Sequence, residues 1–86
     1  MTIDTLPADV KDLREEIDQL DTWILAAVRR RSEVSHAIGA VRMASGGTRL
    51  VHGREIKVIE RYLELGTPGR DLAMLLLQLG RGQLGR

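Results

Sequence analysis

The sequence predicts an all-α fold, with one long and two short helices in a single domain of 86 residues. Apolar side chains recur every three or four positions, which is the spacing of one helix face. Segments rich in glycine or containing proline interrupt that spacing at Ser45-Gly46-Gly47 and at Gly66-Thr67-Pro68. We therefore expect helices over about residues 7–42, 49–65 and 68–80, followed by a flexible tail over 80–86.

The first helix carries a narrow apolar seam with the alternating steps of a heptad repeat. Thr5-Leu6-Pro7 offers its start, because proline is favoured in the first helical turn. A helix of this extent is roughly 54 Å long at 1.5 Å per residue. The seam positions are Val10, Leu13, Ile17, Leu20, Ile24, Ala27, Val34, Ile38 and Val41.

The two shorter helices have their own start and stop signals. Thr48 is the expected N-cap of the second helix, and Gly66 is its expected end. Thr67-Pro68 starts the third helix, whose segment DLAMLLLQL is apolar on almost every side. The closing GRGQLGR contains three glycines, so we expect it to fray.

The helix lengths predict a dimer. The second and third helices are roughly 27 and 18 Å long and cannot cover the whole seam of the first. A monomer would therefore expose aliphatic surface, which soluble monomers avoid. We expect a two-fold homodimer built around paired long helices.

Composition excludes several classes of protein. The chain has no cysteine, so disulfides and thiolate metal sites are excluded, and His36 and His52 lack the spacing of a zinc site. A net charge of +1 does not favour nucleic acid as a partner. No segment approaches the roughly 20 apolar residues of a membrane span, and the acidic N-terminal segment is unlike a secretory signal. A cytoplasmic protein is expected.

Arg31 interrupts the seam, because it occupies the heptad position that follows Val10, Ile17 and Ile24. One interpretation is a packed stem with the guanidinium in water. Another is a cation that faces a bound anion at the dimer core. Arg14 lies about 26 Å from Arg31 along the helix, so only a second chain could bring it to the same site.

The second helix carries a further polar residue on its apolar face. Glu55 lies four residues after Val51 and four before Ile59, and Arg54 lies at the edge of that face. A partly buried carboxylate beside arginines is either a structural ion pair or a hydrogen-bond acceptor for a ligand. The pattern leaves both interpretations open.

The pattern as a whole resembles the helical (AroQ-class) chorismate mutases, from Leu13 to about Leu79. The segments that carry the resemblance are LREEIDQLDTWILAAVRRRSEVSHAIGAVR and, after the loop, TRLVHGREIKVIERY. The short third helix and glycine-rich end are most similar to the delta-type members, which DAHP synthase activates by docking. The resemblance implies an intertwined homodimer that converts chorismate to prephenate without a cofactor or metal.

The resemblance also implies roles for individual residues. Arg14 from the other protomer and Arg31 would each bind a substrate carboxylate. Arg42 stands where the family has a lysine beside the breaking ether bond. Glu55 would accept the hydrogen bond of the ring hydroxyl. The residues implied to line the ring side are Arg54, Thr48 and Val51.

Two departures from the family pattern affect the expected activity. Efficient relatives have an acid where this chain has Val51, and a glutamine on a longer third helix. The resemblance therefore implies weak activity alone. The docking segment would be Gln83, Leu84, Gly85 and Arg86, beside the apolar third helix. A non-catalytic helical dimerisation or adaptor module remains the alternative, although it leaves Arg31 and Glu55 unexplained.

Overall fold

The structure, a computed structural model, describes residues 9–47 and 52–81. These residues form three helices and no strand: α1 (Val10–Ala44), α2 (His52–Tyr62) and α3 (Thr67–Arg81), with a short 3-10 turn at Leu63–Leu65 after α2. The expected all-α fold with one long and two short helices is confirmed. Among the described residues, no helix is long and apolar enough to cross a membrane.

Helix α1 begins later and ends later than expected. Asp9 has an extended backbone (φ −89°, ψ 132°), and its side chain accepts a hydrogen bond from the backbone N–H of Lys11. Asp9 is therefore the N-cap, and the expected start near Pro7 is wrong, because an aspartate cap sets the first turn. At the other end, the backbone N–H of Ser45 donates to Val41 and Arg42 carbonyls, both at 3.1 Å.

Two glycines shape the reversal between α2 and α3. Gly66 has φ +85°, a conformation that favours glycine, and its N–H donates to the Leu63 carbonyl at 2.8 Å. A Cβ on Gly69 would lie 1.8 Å from the carbonyl oxygen of Tyr62, so only glycine allows this close approach. The expected termination at Gly66 is confirmed, whereas the Thr48 cap lies outside the described residues.

Helix α3 packs against both α1 and α2. Its inner face is buried at Gly69, Ala73, Leu76 and Gly80. A Cβ on Gly80 would lie 2.5 Å from Ser35 Oγ and 2.9 Å from Ser35 Cβ, so the last turn of α3 approaches α1 closely.

The expectation that fraying begins at residue 80 is therefore wrong for two residues. Gly80 is buried and Arg81 is still helical. The absence of a side chain on Gly80 permits the contact with α1 that holds this turn. The rest of the expected tail, residues 82–86, lies outside the described residues.

The seam of α1 is largely uncovered, and no residue of this helix is buried. Ile17 and Ile24 are 56% and 57% exposed. The chain measures 55 × 22 × 22 Å, and its radius of gyration is 16.7 Å. A compact domain of this length would have a radius of about 12 Å. A single chain thus leaves an aliphatic edge open, as the sequence predicts, and its coverage by a second copy stays a prediction.

Replacing a seam residue by an acid should dissociate the dimer. If Ile24 is buried between two copies, Ile24→Glu places an uncompensated carboxylate there, which costs about 3 kcal/mol or more. The dissociation constant from analytical ultracentrifugation should rise by about 100-fold or more. Thr22→Glu, on the exposed opposite face of α1, is the matched control. Equal self-association of the two variants would contradict this arrangement.

A methyl group at residue 80 should destabilise the fold. Gly80→Ala gains up to about 1 kcal/mol of helix propensity, but it forces a contact with Ser35 that costs about 1–3 kcal/mol. We expect a melting temperature lower by several degrees. Gly53→Ala is the control, because a Cβ there meets no described atom within 4 Å. It should raise the melting temperature, and a rise for both variants would show that the α1–α3 contact is loose.

Candidate functional site

A cavity of about 480 Å³ lies between the C-terminal half of α1, helix α2 and the end of α3. Its charged wall contains four arginines and one carboxylate, so it carries an excess of positive charge. Its apolar and small residues would exclude water from part of a bound molecule. The charged lining residues are Arg31, Arg42, Arg54, Glu55 and Arg81, and the apolar ones are Val34, Ile38, Val58 and Leu77.

Arg31 links α1 to α3, two of the three helices that form the cavity. Its Nη1 donates to the backbone carbonyl of Leu76, on α3, at 3.3 Å, and the residue is half-buried. The guanidinium therefore lies at the cavity rather than fully in water. It has five N–H donors, so this bond does not exhaust its capacity to hold an anion.

Arg42 and Arg54 are the more exposed arginines of the same cavity wall. Arg42 is on the last turn of α1, eleven residues after Arg31, which is three helical turns and returns it to nearly the same face. Arg54 is in the first turn of α2, beside Glu55. Both are exposed in the single chain. A ligand with two anionic groups could contact several of these guanidinium groups at once.

Glu55 forms an ion pair with Arg81. Arg81 Nη2 donates to Glu55 Oε2 at 2.5 Å, and the two side chains are only 24% and 21% exposed. Of the two interpretations that the sequence left open, an ion pair is present. It does not exclude the other, because a carboxylate accepts hydrogen bonds on both oxygens.

Arg81 was not predicted as a site residue, because its position was expected to belong to the flexible tail. The spacing of residues along α3 nevertheless indicates that Arg81 faces inward. Arg81 follows Ala73 and Leu77 at steps of four, so it continues the face of α3 that packs inward.

His36 also contributes to the cavity wall and to the position of α3. Its Nε2 lies 3.0 Å from the carbonyl oxygen of Leu79, a distance at which the ring can donate a hydrogen bond. No group of three or more His, Cys, Asp or Glu residues suited to a metal ion occurs in the described part of the chain.

Arg14 is not among the residues that line this cavity. It is exposed on α1, 17 residues before Arg31 and about 26 Å away along the helix. Only a second copy could bring an Arg14 to the site, as the sequence predicts. The other candidate residues lie outside the described residues; they are Thr48, Val51, Gln83, Leu84, Gly85 and Arg86.

Comparison with known proteins identifies the family. Residues 13–76 match the family described as chorismate mutase type II. The chain belongs to this family. The match includes the whole of α2 and most of α1 and α3, and it contains the five described candidates Arg14, Arg31, Arg42, Arg54 and Glu55.

Close relatives carry the same description. An intracellular chorismate mutase of Mycolicibacterium smegmatis is 67% identical over 85 residues, which is 98% of this chain and 81% of that protein. An intracellular chorismate mutase of Mycobacterium tuberculosis is 71% identical over 77 residues, or 90% of this chain and 73% of that protein.

A solved structure has the same fold. It is described as a non-covalent complex of DAHP synthase and chorismate mutase from Corynebacterium glutamicum, with a bound transition state analogue. A chain in it superposes with a TM-score of 0.83 and 52% identity, and the match covers 91% of this chain and 95% of that one.

Proposed function

We propose that this protein is an isomerase that converts chorismate to prephenate. The observation that carries the proposal is a cavity, in a chain of the chorismate mutase type II family, whose wall holds four guanidinium groups and one carboxylate. Chorismate is a small dicarboxylate, so this charge pattern suits it. The alternative of a helical adaptor leaves this cavity and its charged wall unexplained.

The reaction is an intramolecular rearrangement in which one carbon–oxygen bond breaks while one carbon–carbon bond forms. No proton moves, so the chain needs no general base or nucleophile. The enzyme must hold the enolpyruvyl arm folded over the ring, and arginine forks on both carboxylates supply that orientation. Negative charge grows on the ether oxygen as its bond breaks. A cation placed there stabilises the transition state more than the substrate.

Each charged residue has a proposed role in this chemistry. Arg31 binds one substrate carboxylate through N–H groups that do not contact Leu76. Arg14 of a second copy binds the other carboxylate. Arg42 places its charge near the breaking ether bond. Glu55 accepts the hydrogen bond of the ring hydroxyl.

The ring side of the site is proposed to include Arg54 with the backbone around Thr48 and Val51. Efficient relatives have an acid at the position of Val51 and a glutamine on the third helix. This chain has Val51 in place of the acid, and the resemblance implies a short third helix without that glutamine, so we expect a low rate for the protein alone.

We further propose that DAHP synthase binds this protein and raises its activity. Support comes from the Corynebacterium glutamicum complex, which contains both enzymes. Helix α3 also exposes apolar side chains that a partner could cover, including Leu72, Met74 and Leu75. The docking segment is Gln83, Leu84, Gly85 and Arg86. A cytoplasmic location is proposed because the relatives are named intracellular.

The loss of chorismate absorbance with time measures the proposed activity. The variant Arg42→Ala tests whether the charge of Arg42 is needed for it. The unchanged chain should consume chorismate and form prephenate, slowly alone and faster with DAHP synthase. Arg42→Ala should lower kcat by about 100-fold or more, because it removes the charge that stabilises the ether oxygen. Arg42→Lys should lose less activity, since lysine keeps the positive charge but not the bidentate geometry of the guanidinium group.

Arg61→Ala is the matched control for Arg42→Ala, because Arg61 is exposed on α2 and does not line the cavity. It should keep the normal rate. Circular dichroism should show intact helices in every variant. Near-normal turnover of Arg42→Ala at saturating chorismate would refute the role of Arg42. No consumption of chorismate by the unchanged chain, alone or with DAHP synthase, would refute the proposed activity.

Removing the last four residues should abolish stimulation by DAHP synthase. A chain that ends at Gly82 loses Leu84 and Arg86, which could supply apolar and charged contacts to a partner. Its rate without DAHP synthase is expected to stay near that of the full chain. The measurement is the ratio of initial rates with and without saturating DAHP synthase. Stimulation equal to that of the full chain would rule out the docking role of the tail.

A further inference from the structure

We propose that Arg81 is a positioning residue for this reaction, which holds the carboxylate of Glu55 in the orientation that receives the substrate. The inference rests on the proposed function. Arg81 lies at the end of α3, 26 residues from Glu55 in sequence, and both side chains line the cavity.

The contact between Arg81 and Glu55 differs from a surface ion pair. Both side chains are more than three-quarters buried, at 24% and 21% exposed, and Nη2 is 2.5 Å from Oε2. The pair of Arg30 and Glu33 shows the contrast, since it spans 3.1 Å within one helix with side chains 75% and 58% exposed. An exposed ion pair of this kind restricts the positions of its two side chains only weakly. A buried, charge-assisted hydrogen bond holds its two partners far more firmly.

The backbone that carries Arg81 is itself held in place. Two side chains of α1 contact carbonyls of the last turns of α3: Arg31 contacts Leu76 at 3.3 Å, and His36 contacts Leu79 at 3.0 Å. These contacts hold the backbone of the last turns of α3, and they therefore fix the position of the Arg81 Cα atom. Its guanidinium can then act as a fixed support for Glu55.

The geometry leaves Glu55 able to act on a ligand. Arg81 donates to Oε2, and a carboxylate can accept further hydrogen bonds on both oxygens. Holding Oε2 restricts rotation of the carboxyl group, so the other oxygen has a defined direction for a hydroxyl of the bound ring. Arg81 acts through Glu55 and does not need to contact the substrate, unlike Arg42.

A double-mutant cycle in the full chain tests the proposal. Arg81→Met keeps an unbranched stem and removes the guanidinium. It should lower kcat/KM for chorismate by about 10- to 100-fold, the value of a hydrogen bond to a charged group. In a Glu55→Ala background the same change should have an effect of about twofold or less, because no carboxylate remains to be oriented.

Equal losses in the two backgrounds would overturn the proposal, since Arg81 would then act independently of Glu55. A normal kcat/KM for Arg81→Met would overturn it as well. Arg81→Lys should restore part of the loss, because it keeps one charged donor. Where Arg81→Met does not fold, Arg81→Lys is used in the same cycle, and a loss that persists undiminished in Glu55→Ala counts against the proposal.

Arg30→Met is the matched control, because it removes the guanidinium of an exposed Arg–Glu pair. It should leave kcat/KM unchanged. Arg81→Met should melt at a lower temperature than Arg30→Met, because it leaves a largely buried carboxylate without its partner, and circular dichroism should show intact helices in both variants. The two failures are distinguishable: an unchanged chain that never consumes chorismate refutes the proposed function. An active unchanged chain with an equally active Arg81→Met variant refutes only this inference.

Discussion

The close approach of the last turn of α3 to α1 determines how the α1 and α3 walls of the cavity lie relative to each other. Gly80 has no side chain, and its backbone therefore lies against Ser35. The same approach brings Arg31 within reach of the Leu76 carbonyl. Without it, α3 would lie further from α1, and the space between the two helices would open to water. Tight packing of this kind tolerates little change in volume.

The second constraint is the length of α1. Its 35 residues extend beyond the part that α3 and α2 can cover, and the uncovered part carries Arg14 and the seam residues Ile17 and Ile24. The cavity lies on the covered part. A second copy would therefore do two things with one contact: bury the exposed aliphatic edge and bring a further cation to the site. On this arrangement, assembly and completion of the site depend on the same surface.

Much of the fold could be predicted because it follows from local rules. The spacing of the seam predicts one continuous helix, and Gly66 marks the end of α2 through its backbone conformation. Arg31 and Glu55 stand out because each is a charged residue on an apolar face. Both line the same cavity.

The errors lie where local signals compete with other interactions. Pro7 and Asp9 are both acceptable near a helix start, and only the structure shows that the aspartate side chain caps α1. By local helix rules, a glycine such as Gly80 is expected to end a helix. Its contact with Ser35 is between residues 45 positions apart in sequence, which no local pattern reveals. Arg81 was missed because the glycines on either side of it suggested a frayed end, although its spacing of four from Leu77 continues the inner face of α3.

Trp23 lies at the margin of the seam of α1. This residue is the only tryptophan of the chain, and its side chain is 61% exposed beside Ile24 on the uncovered edge of α1. Its indole is thus the single strong ultraviolet fluorophore, on the edge of α1 that a second copy is predicted to cover. The emission of the native protein, with no added label, reports on the solvent at that edge and on little else.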